Sequence, residues 1–459
     1  MTFTVAGTRV TVAGAARSGL AAARLLAERG ARVTLSESQA DVPQALPLEQ
    51  LGVRLELGGH RMESFVAADL VVLSPGVSPD QPVIQAARDR GVPVIAEIEL
   101  AYRYLQGRVI AITGTKGKST TTALTGRILA TAGFKVTVGG NIGEPLSAQV
   151  GLSTPDTFHV VETSSFQLEQ IQTFHPWIAV MLNFSPDHLD RHPTVDAYRS
   201  AKARIFENQD EGDWAVVNAD DPTVLELARR GRARTRLFSR AGSIADGTVV
   251  ERDWIVDRGP GGPAGPGGNA ERLVPMDAVH LLGPHLVNDV MAAATVGRIA
   301  GATPAAMTAA VDTFRGLEHA MELVAQIGGV RFVNDSKATN IESALRSIES
   351  FERGLVVILG GRFKGGDIGL LREPLRSRAR AVVAIGESRA LFRDALADAI
   401  AVHEADRFDS AVRRAFELAQ PAGLVLLAPA CASFDMFRDY ADRGRRFKEE
   451  VSKLSVGGR

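Results

Sequence analysis

The stretch from Arg108 to Gly133, RVIAITGTKGKSTTTALTGRILATAG, decides how the rest of the chain is read. RVIAIT is an apolar, β-branched run of strand length, while TTTALTGRILATAG has helical periodicity and stops at a glycine. Between them, the glycines of GTKGKS let the backbone curl until its N–H groups point inward. The helix N-terminus adds partial positive charge, Lys118 supplies an ammonium for β- and γ-phosphates, and Ser119 a hydroxyl for magnesium. The first glycine of the full Walker pattern is missing, with Ile112 in its place. The strand–loop–helix context predicts nucleotide binding by Gly114, Thr115, Lys116, Gly117, Lys118, Ser119 and Thr120.

Upstream, Arg9 to Ala13 alternates as a strand. Gly14 to Gly19 (GAARSG) turns the chain, LAAARLLAER is a helix closed by Gly30, and ARVTLSE starts a second strand. DLVVLS ends at Pro75-Gly76, and VPVIAEIEL continues the strand theme near residue 95. Downstream, FHVVET, IAVMLN and DWAVVNA read as further strands of the loop-bearing unit. A third α/β unit starts around Arg315-Gly316, with strands VRFVND, GLVVILGG, AVVAIG and GLVLLAPA. The expectation is three tandem α/β domains: Rossmann-like over 1–98, P-loop ATPase-type over 99–315, and Rossmann-like over 316–459. A length of 459 residues fits that count at roughly 150 residues per domain. The Pro/Gly run RGPGGPAGPGGNA (258–270) cannot bury enough to order itself and is expected to be a mobile surface insertion.

Composition narrows the function. Lys plus Arg (52) nearly equals Asp plus Glu (53), so no overall field favours nucleic acid or anionic membrane. The single cysteine, Cys431, cannot form an intrachain disulfide, which fits a reducing compartment. MTFTVAGTRV lacks a signal-peptide pattern, and GLVLLAPACA is far short of the roughly 18 apolar residues of a span. These features predict a cytoplasmic protein.

Other residues carry chemistry less specifically. In Gly14–Gly19, Ala16 replaces the middle glycine of the dinucleotide fingerprint, and Glu37 lies where a ribose-binding acid would sit. A plain tight turn, a dinucleotide, or a diphosphate sugar nucleotide held by Ser18 and neighbouring amides all fit. Glu162 ends a strand beside the loop, as a magnesium ligand or a helix-capping acid. NFSPDHLDRH gathers Asp187, His188 and Asp190, but its spacing matches no zinc motif and favours magnesium-linked phosphate chemistry. Lys202, in YRSAKARIFEN, reads alone as a solvated surface lysine.

Taken in order, SPGVSPD, GTKGKST, NIGEPL, ETSSFQLE, NFSPDHLDRH, YRSAKARIFEN, VNADDP, GPHLVND, VNDSKATN, LGGRFKGG and APACASFDMF resemble the Mur ligase family over nearly the whole chain. The loop alone would fit the wider group that includes folylpolyglutamate synthetases. NDSKATN, LGG-x-x-K and PACASFDMF resemble the D-glutamate-adding branch. The resemblance implies ATP-dependent joining of D-glutamate to UDP-N-acetylmuramoyl-L-alanine through an acyl phosphate, in a monomer with two magnesium sites. It implies that Ser18, Glu37, Gly76, Asn141 and His188 hold the UDP substrate. Lys118, Glu162, His188, Lys202 and Lys337 would be catalytic, and Ser119, Glu162, His188 and a carboxylated Lys202 would hold metal. Asp289 and Asp335 would contact ATP, and Thr339, Lys364, Ser433 and Tyr440 would bind D-glutamate.

The chain departs from the family pattern at three places. The usual H-N-x-x-N reads His285-Leu286-Val287-Asn288-Asp289, Ala320 replaces the arginine usual after His319, and Tyr440 stands where Phe is common. The first two bear on adenine recognition and phosphate neutralisation.

Overall fold

The computed structural model describes residues 3–188, 191–242, 244–259, 270–280 and 286–456. The chain divides into two compact units, the first running through Val279 and then up to Thr313, the second from Phe314 onward.

The first unit holds two sheets. Strands β1 (Arg9–Ala13), β2 (Arg32–Glu37), β3 (Arg54–Leu57), β4 (Leu70–Leu73) and β5 (Val94–Ala96) form a parallel sheet in the order β3-β2-β1-β4-β5. The order reverses between β1 and β4, which opens a crevice at their carboxyl ends, the usual place for a ligand in such sheets. After β5 the chain enters the helix Glu97–Tyr102, where the sequence reading continued a strand. Ile98, Leu100 and Ala101 are buried there. The two buried glutamates find backbone donors instead of solvent: Glu97 accepts from Ser147 N (2.6 Å), and Glu99 from Gln172, Thr173 and Phe174 N (2.8–2.9 Å).

The second sheet comprises β6 (Arg108–Thr113), β7 (Lys135–Gly140), β8 (Thr157–Glu162), β9 (Ile178–Met181), β10 (Trp214–Asn218), β11 (Arg234–Ser239), β12 (Gly247–Glu251), β13 (Trp254–Arg258) and β14 (Glu271–Pro275). Its order is β14-β13-β12-β11-β10-β9-β6-β8-β7, parallel from β7 to β12 and antiparallel at β13 and β14. The Pro/Gly run follows β13, and its residues 260–269 lie outside the described residues. One apolar cluster joins the two sheets, running from Val12, Leu26 and Leu35 through Ile98 and Leu100 to Val109, Val161 and Met181. Each such side chain contributes on the order of 1.5–3 kcal/mol when fully buried.

In the second unit β15 (Glu322–Ile327), β16 (Val330–Asn334), β17 (Leu355–Gly360), β18 (Ala379–Ile385), β19 (Val402–Glu404) and β20 (Gly423–Leu427) form a sheet in the order β15-β16-β20-β17-β18-β19. It is parallel except at β15. Apolar clusters cover both faces, so β17 is buried along its whole length, as a parallel strand with helices on either side must be. Cys431 is a free, buried thiol. No helix among the described residues is long and apolar enough to cross a membrane.

Candidate active site

The loop after β6 enters the helix Lys118–Thr131. That helix begins two residues before the periodic run does, so Lys118 and Ser119 lie in its first turn. Gly117 is left-handed (φ 80°), and a Cβ there would collide with the Asp289 carboxylate, so only glycine fits. Asn183, just past β9, pins the loop: its Oδ1 accepts from Thr115 N (3.2 Å) and Lys116 N (2.8 Å), and its Nδ2 donates to Lys116 O (3.1 Å). The Thr115 hydroxyl meets the Tyr198 hydroxyl at 3.2 Å. Lys118 Nζ folds back onto Thr115 O at 3.0 Å. Asn183 and Tyr198 escaped the sequence reading, although an asparagine directly after an apolar strand was a usable signal.

Glu162, at the end of β8, is buried, and it joins two other segments. Its Oε2 accepts from Ser119 Oγ (2.6 Å) and its Oε1 from Asn141 Nδ2 (2.7 Å). Loop, β8 and the segment after β7 thus meet at one carboxylate. Ser119 Oγ and the Glu162 oxygens are hard oxygen donors of the kind magnesium takes.

Lys202 corrects the surface reading. It lies on the helix Val195–Ala203, only 2% exposed, with Nζ donating to Gly114 O at 2.7 Å and lying 4.8 Å from the Tyr198 ring centre. The helix turns this residue toward the phosphate loop, not toward water. Burial, and then the charge of Lys118, hold its amine well below the ordinary lysine range.

His188 adopts a left-handed backbone (φ 55°) and remains exposed. Its ring sits edge-on to Phe166 (5.2 Å) and near Tyr198 (6.0 Å), so it shares an aromatic neighbour with Lys202. Asp187 accepts from His188 N at 2.9 Å, while Asp190 lies outside the described residues.

Asp289 lies on the helix Leu286–Ala300, packed against the loop helix; His285 of the same motif lies outside the described residues. Asp289 is 3% exposed. Burial drives its pKa well above the ordinary value, which favours the neutral carboxyl. A neutral carboxyl is close in shape and donor capacity to the asparagine usual at this position.

At the carboxyl ends of β1 and β4 lies a cavity of about 440 Å³, lined by Ser18, Glu37, His60, Ser74, Gly76 and Asn141 among others. The helix Arg17–Glu28 opens onto it with no side-chain cap. Part of the glycine turn is plainly structural: Gly19 packs so closely on Gly14 O that no Cβ would fit. Glu37 accepts from Ala15 N (2.7 Å), Gln39 N (3.0 Å) and Ser38 Oγ (2.8 Å). Burial raises its pKa, but these bonds together outweigh it and leave the carboxylate below its usual range. Asn141 belongs both to this cavity and to the Glu162 cluster.

In the second unit, Asp335, Lys337 and Thr339 follow β16, Ser433 follows β20 and Lys364 follows β17, so three adjacent strands present them at one carboxyl edge. Asp335 is buried, bonded to Ser347 Oγ and accepting from Met321 N (3.2 Å), and burial raises its pKa. Lys337 and Lys364 are exposed, Thr339 half-buried and Ser433 buried. The Tyr440 ring stands 6.5 Å from that of His319. No hydrogen bond among the described residues joins Lys364 to Thr339 or Ser433. The sequence reading missed Arg443, a buried guanidinium that donates to Ser336 Oγ and O (both 2.9 Å) and Cys431 O (3.1 Å). It ties the β16 and β20 loops together, and burial holds it down to about 10.

A glycine loop held over a carboxylate, with a cavity at one sheet's switch point and a cationic edge on another, defines a nucleotide-dependent α/β enzyme. Residues 8–96 match the N-terminal domain model "Mur ligase MurD-like", residues 112–297 the Mur ligase middle domain, and residues 319–431 the Mur ligase glutamate ligase domain. The chain is 44% identical over 454 residues to a UDP-N-acetylmuramoylalanine--D-glutamate ligase of Koribacter versatilis, covering 98% of each. It is 42% identical to the protein of that name from Geotalea daltonii, covering 99% of each. In fold it is similar to a UDP-N-acetylmuramate-alanine ligase of Thermotoga maritima (TM-score 0.57, 20% identity, covering 97% of this chain and 100% of that one). The chain belongs to the Mur ligase family.

Proposed function

We propose that this chain is the ADP-forming ligase that adds D-glutamate to UDP-N-acetylmuramoyl-L-alanine in peptidoglycan synthesis. The observation that carries this reading is the Ser119–Glu162–Asn141 cluster, in which one carboxylate serves both the phosphate loop and the cavity for a sugar nucleotide. The names of the full-length relatives supply the substrates. Residues 1–98 bind the UDP substrate through Ser18, Glu37, Gly76 and Asn141, residues 99–315 bind ATP, and residues 316–459 bind the amino acid.

The substrate carboxylate attacks the γ-phosphate of ATP, giving an acyl phosphate and ADP. The D-glutamate amine then displaces phosphate to form the amide. Bringing a carboxylate to a triphosphate sets two anions together, and Lys118 with the loop N–H groups offsets that charge. Ser119 and Glu162 would hold one magnesium, and His188 with Lys202 a second. Bound there, magnesium would screen the phosphates and orient them. The neutral amine of Lys202 is the form that takes up carbon dioxide, and the resulting carbamate is an anionic oxygen ligand, whereas an ammonium cannot ligate. Asp289 and Asp335 contact the nucleotide, and Lys337 assists at the reacting groups. Thr339, Lys364, Ser433 and Tyr440 receive D-glutamate. The same reading has the chain act as a monomer in the cytoplasm.

ADP release measured with UDP-N-acetylmuramoyl-L-alanine and a panel of amino acids tests the proposal. Turnover should require D-glutamate. Equal turnover with L-alanine or diaminopimelate would move the chain to another branch.

A further inference from the structure

We propose that Arg191 is a positioning residue that clamps the sugar-nucleotide loop to the turn carrying His188. The inference rests on the sugar-nucleotide reading of the cavity at β1 and β4.

Four contacts define the clamp. Arg191 Nη2 donates to the carbonyl of Val77 at 2.9 Å, and its guanidinium carbon lies 4.7 Å over the Phe166 ring. Phe166 in turn stacks on His192 (5.3 Å, 25°) and meets His188 edge-on (5.2 Å). Val77 belongs to the turn Ser74–Val77, which lines the cavity together with Gly76. Its side chain fills the space a Cβ on Gly14 would need, and Ser74 Oγ donates to Gly14 O at 3.1 Å. The two walls of the cavity are thus bonded to each other, and Arg191 reaches them from outside.

The other end of the clamp is rigid. His192 is buried, its Nε2 at 2.9 Å from Ser165 Oγ, and its ring lies 5.2 Å from Tyr198, whose hydroxyl meets Thr115 of the phosphate loop. Phe166 sits on the short helix Ser165–Leu168, closed by a reciprocal cap between Ser164 and Gln167. A guanidinium can stack on a ring and donate in its own plane at once, which an ammonium cannot do. Arg191 is therefore the group that ties the wall of the cavity to Phe166, and through that ring to the exposed His188.

The test uses the full chain and four measurements: thermal midpoint, direct titration with UDP-N-acetylmuramoyl-L-alanine, KM for each substrate, and kcat with and without millimolar guanidinium at fixed ionic strength. Arg191→Ala should lower kcat about tenfold to a hundredfold, the range expected when a reacting group is misplaced by about 1 Å. It should weaken binding of the UDP substrate and leave the KM for ATP near the wild-type value. Guanidinium should restore part of the lost kcat by refilling the space over Phe166, and should not stimulate wild type. Arg191→Lys keeps the charge without the flat face and should also lose kcat. It carries the test if the alanine variant does not fold. Wild-type kcat in Arg191→Lys, or a folded Arg191→Ala variant that guanidinium does not rescue, overturns the clamp. Failure of wild type to bind the UDP substrate would overturn the reading of the cavity itself, and the clamp with it.

Discussion

Lys202 donates from Nζ to the carbonyl of Gly114 at 2.7 Å, which puts a buried amine directly beneath the first glycine of the phosphate loop. Burial and the neighbouring Lys118 favour the uncharged form. A neutral amine placed there is a base and a nucleophile toward carbon dioxide, two roles closed to the solvated ammonium that the helical sequence YRSAKARIFEN suggests.

From this follows a prediction for Lys202→Ala. The variant should be nearly inactive, and short carboxylic acids such as acetate should partly restore turnover by supplying the missing anionic oxygen. The check is ADP release across an acetate titration. Full activity of the alanine variant with no acid present would remove Lys202 from the mechanism.

Lys118→Ala should leave the fold intact and abolish ligation. Its ammonium bonds Thr115 O and stands at the start of the loop helix, where no other loop side chain offers a comparable charge except exposed Lys116. Loss of a donor aimed at developing charge typically costs about a hundredfold or more in kcat. Circular dichroism and single-turnover ADP release would check fold and activity separately, and near-normal turnover would be incompatible with the role given to the loop.

The strand–loop–helix unit was legible because each of its parts has a local cause: β-branched residues, glycines and helical periodicity. The switch-point crevice was legible in part, since GAARSG and SPGVS lie at the ends of strands the sequence marks. Glu162 was read correctly as an acid at a strand end, but its double bond to Ser119 and Asn141 depends on the order β6-β8-β7, which no local pattern carries. Asn183, Tyr198, Arg191 and Arg443 were missed for the same reason. Each has a hydrogen-bond partner 67 residues or more away along the chain, from Asn183–Lys116 at the near end to Arg191–Val77 at 114. The helical turn at Glu97–Tyr102 was misread because its two glutamates are satisfied by backbone N–H groups from distant segments.

Asp289 gives a pH-dependent prediction. Its pKa is raised in the folded chain above the ordinary 3.8, so the folded state holds a proton that the unfolded chain releases. The stabilisation this proton confers is fully present below about pH 3.8 and is lost as pH rises toward and through the folded value. Asp289→Asn mimics the protonated form at every pH. It should raise the thermal midpoint at neutral pH, with the gain shrinking as pH falls toward 4. A gain that is the same at both pH values would mean that folding does not raise the pKa of Asp289.

The last prediction concerns the amino acid. D-glutamate carries two carboxylates, and the edge formed by β16, β20 and β17 offers exposed Lys364 as a cation beside the neutral donors Thr339 and Ser433. A charge-assisted hydrogen bond is roughly twice as strong as a neutral one, so Lys364 should dominate affinity. Lys364→Ala should raise the apparent KM for D-glutamate with a much smaller change for ATP. D-alanine lacks the side-chain carboxylate and would leave donors unpaired, a stronger discrimination than size alone gives. Diaminopimelate would bring a second cation toward Lys364. Wild type should therefore prefer D-glutamate to both by a wide margin in kcat/KM. An unchanged KM for D-glutamate in Lys364→Ala would show that the amino acid sits elsewhere on the second unit, even if the preference itself held.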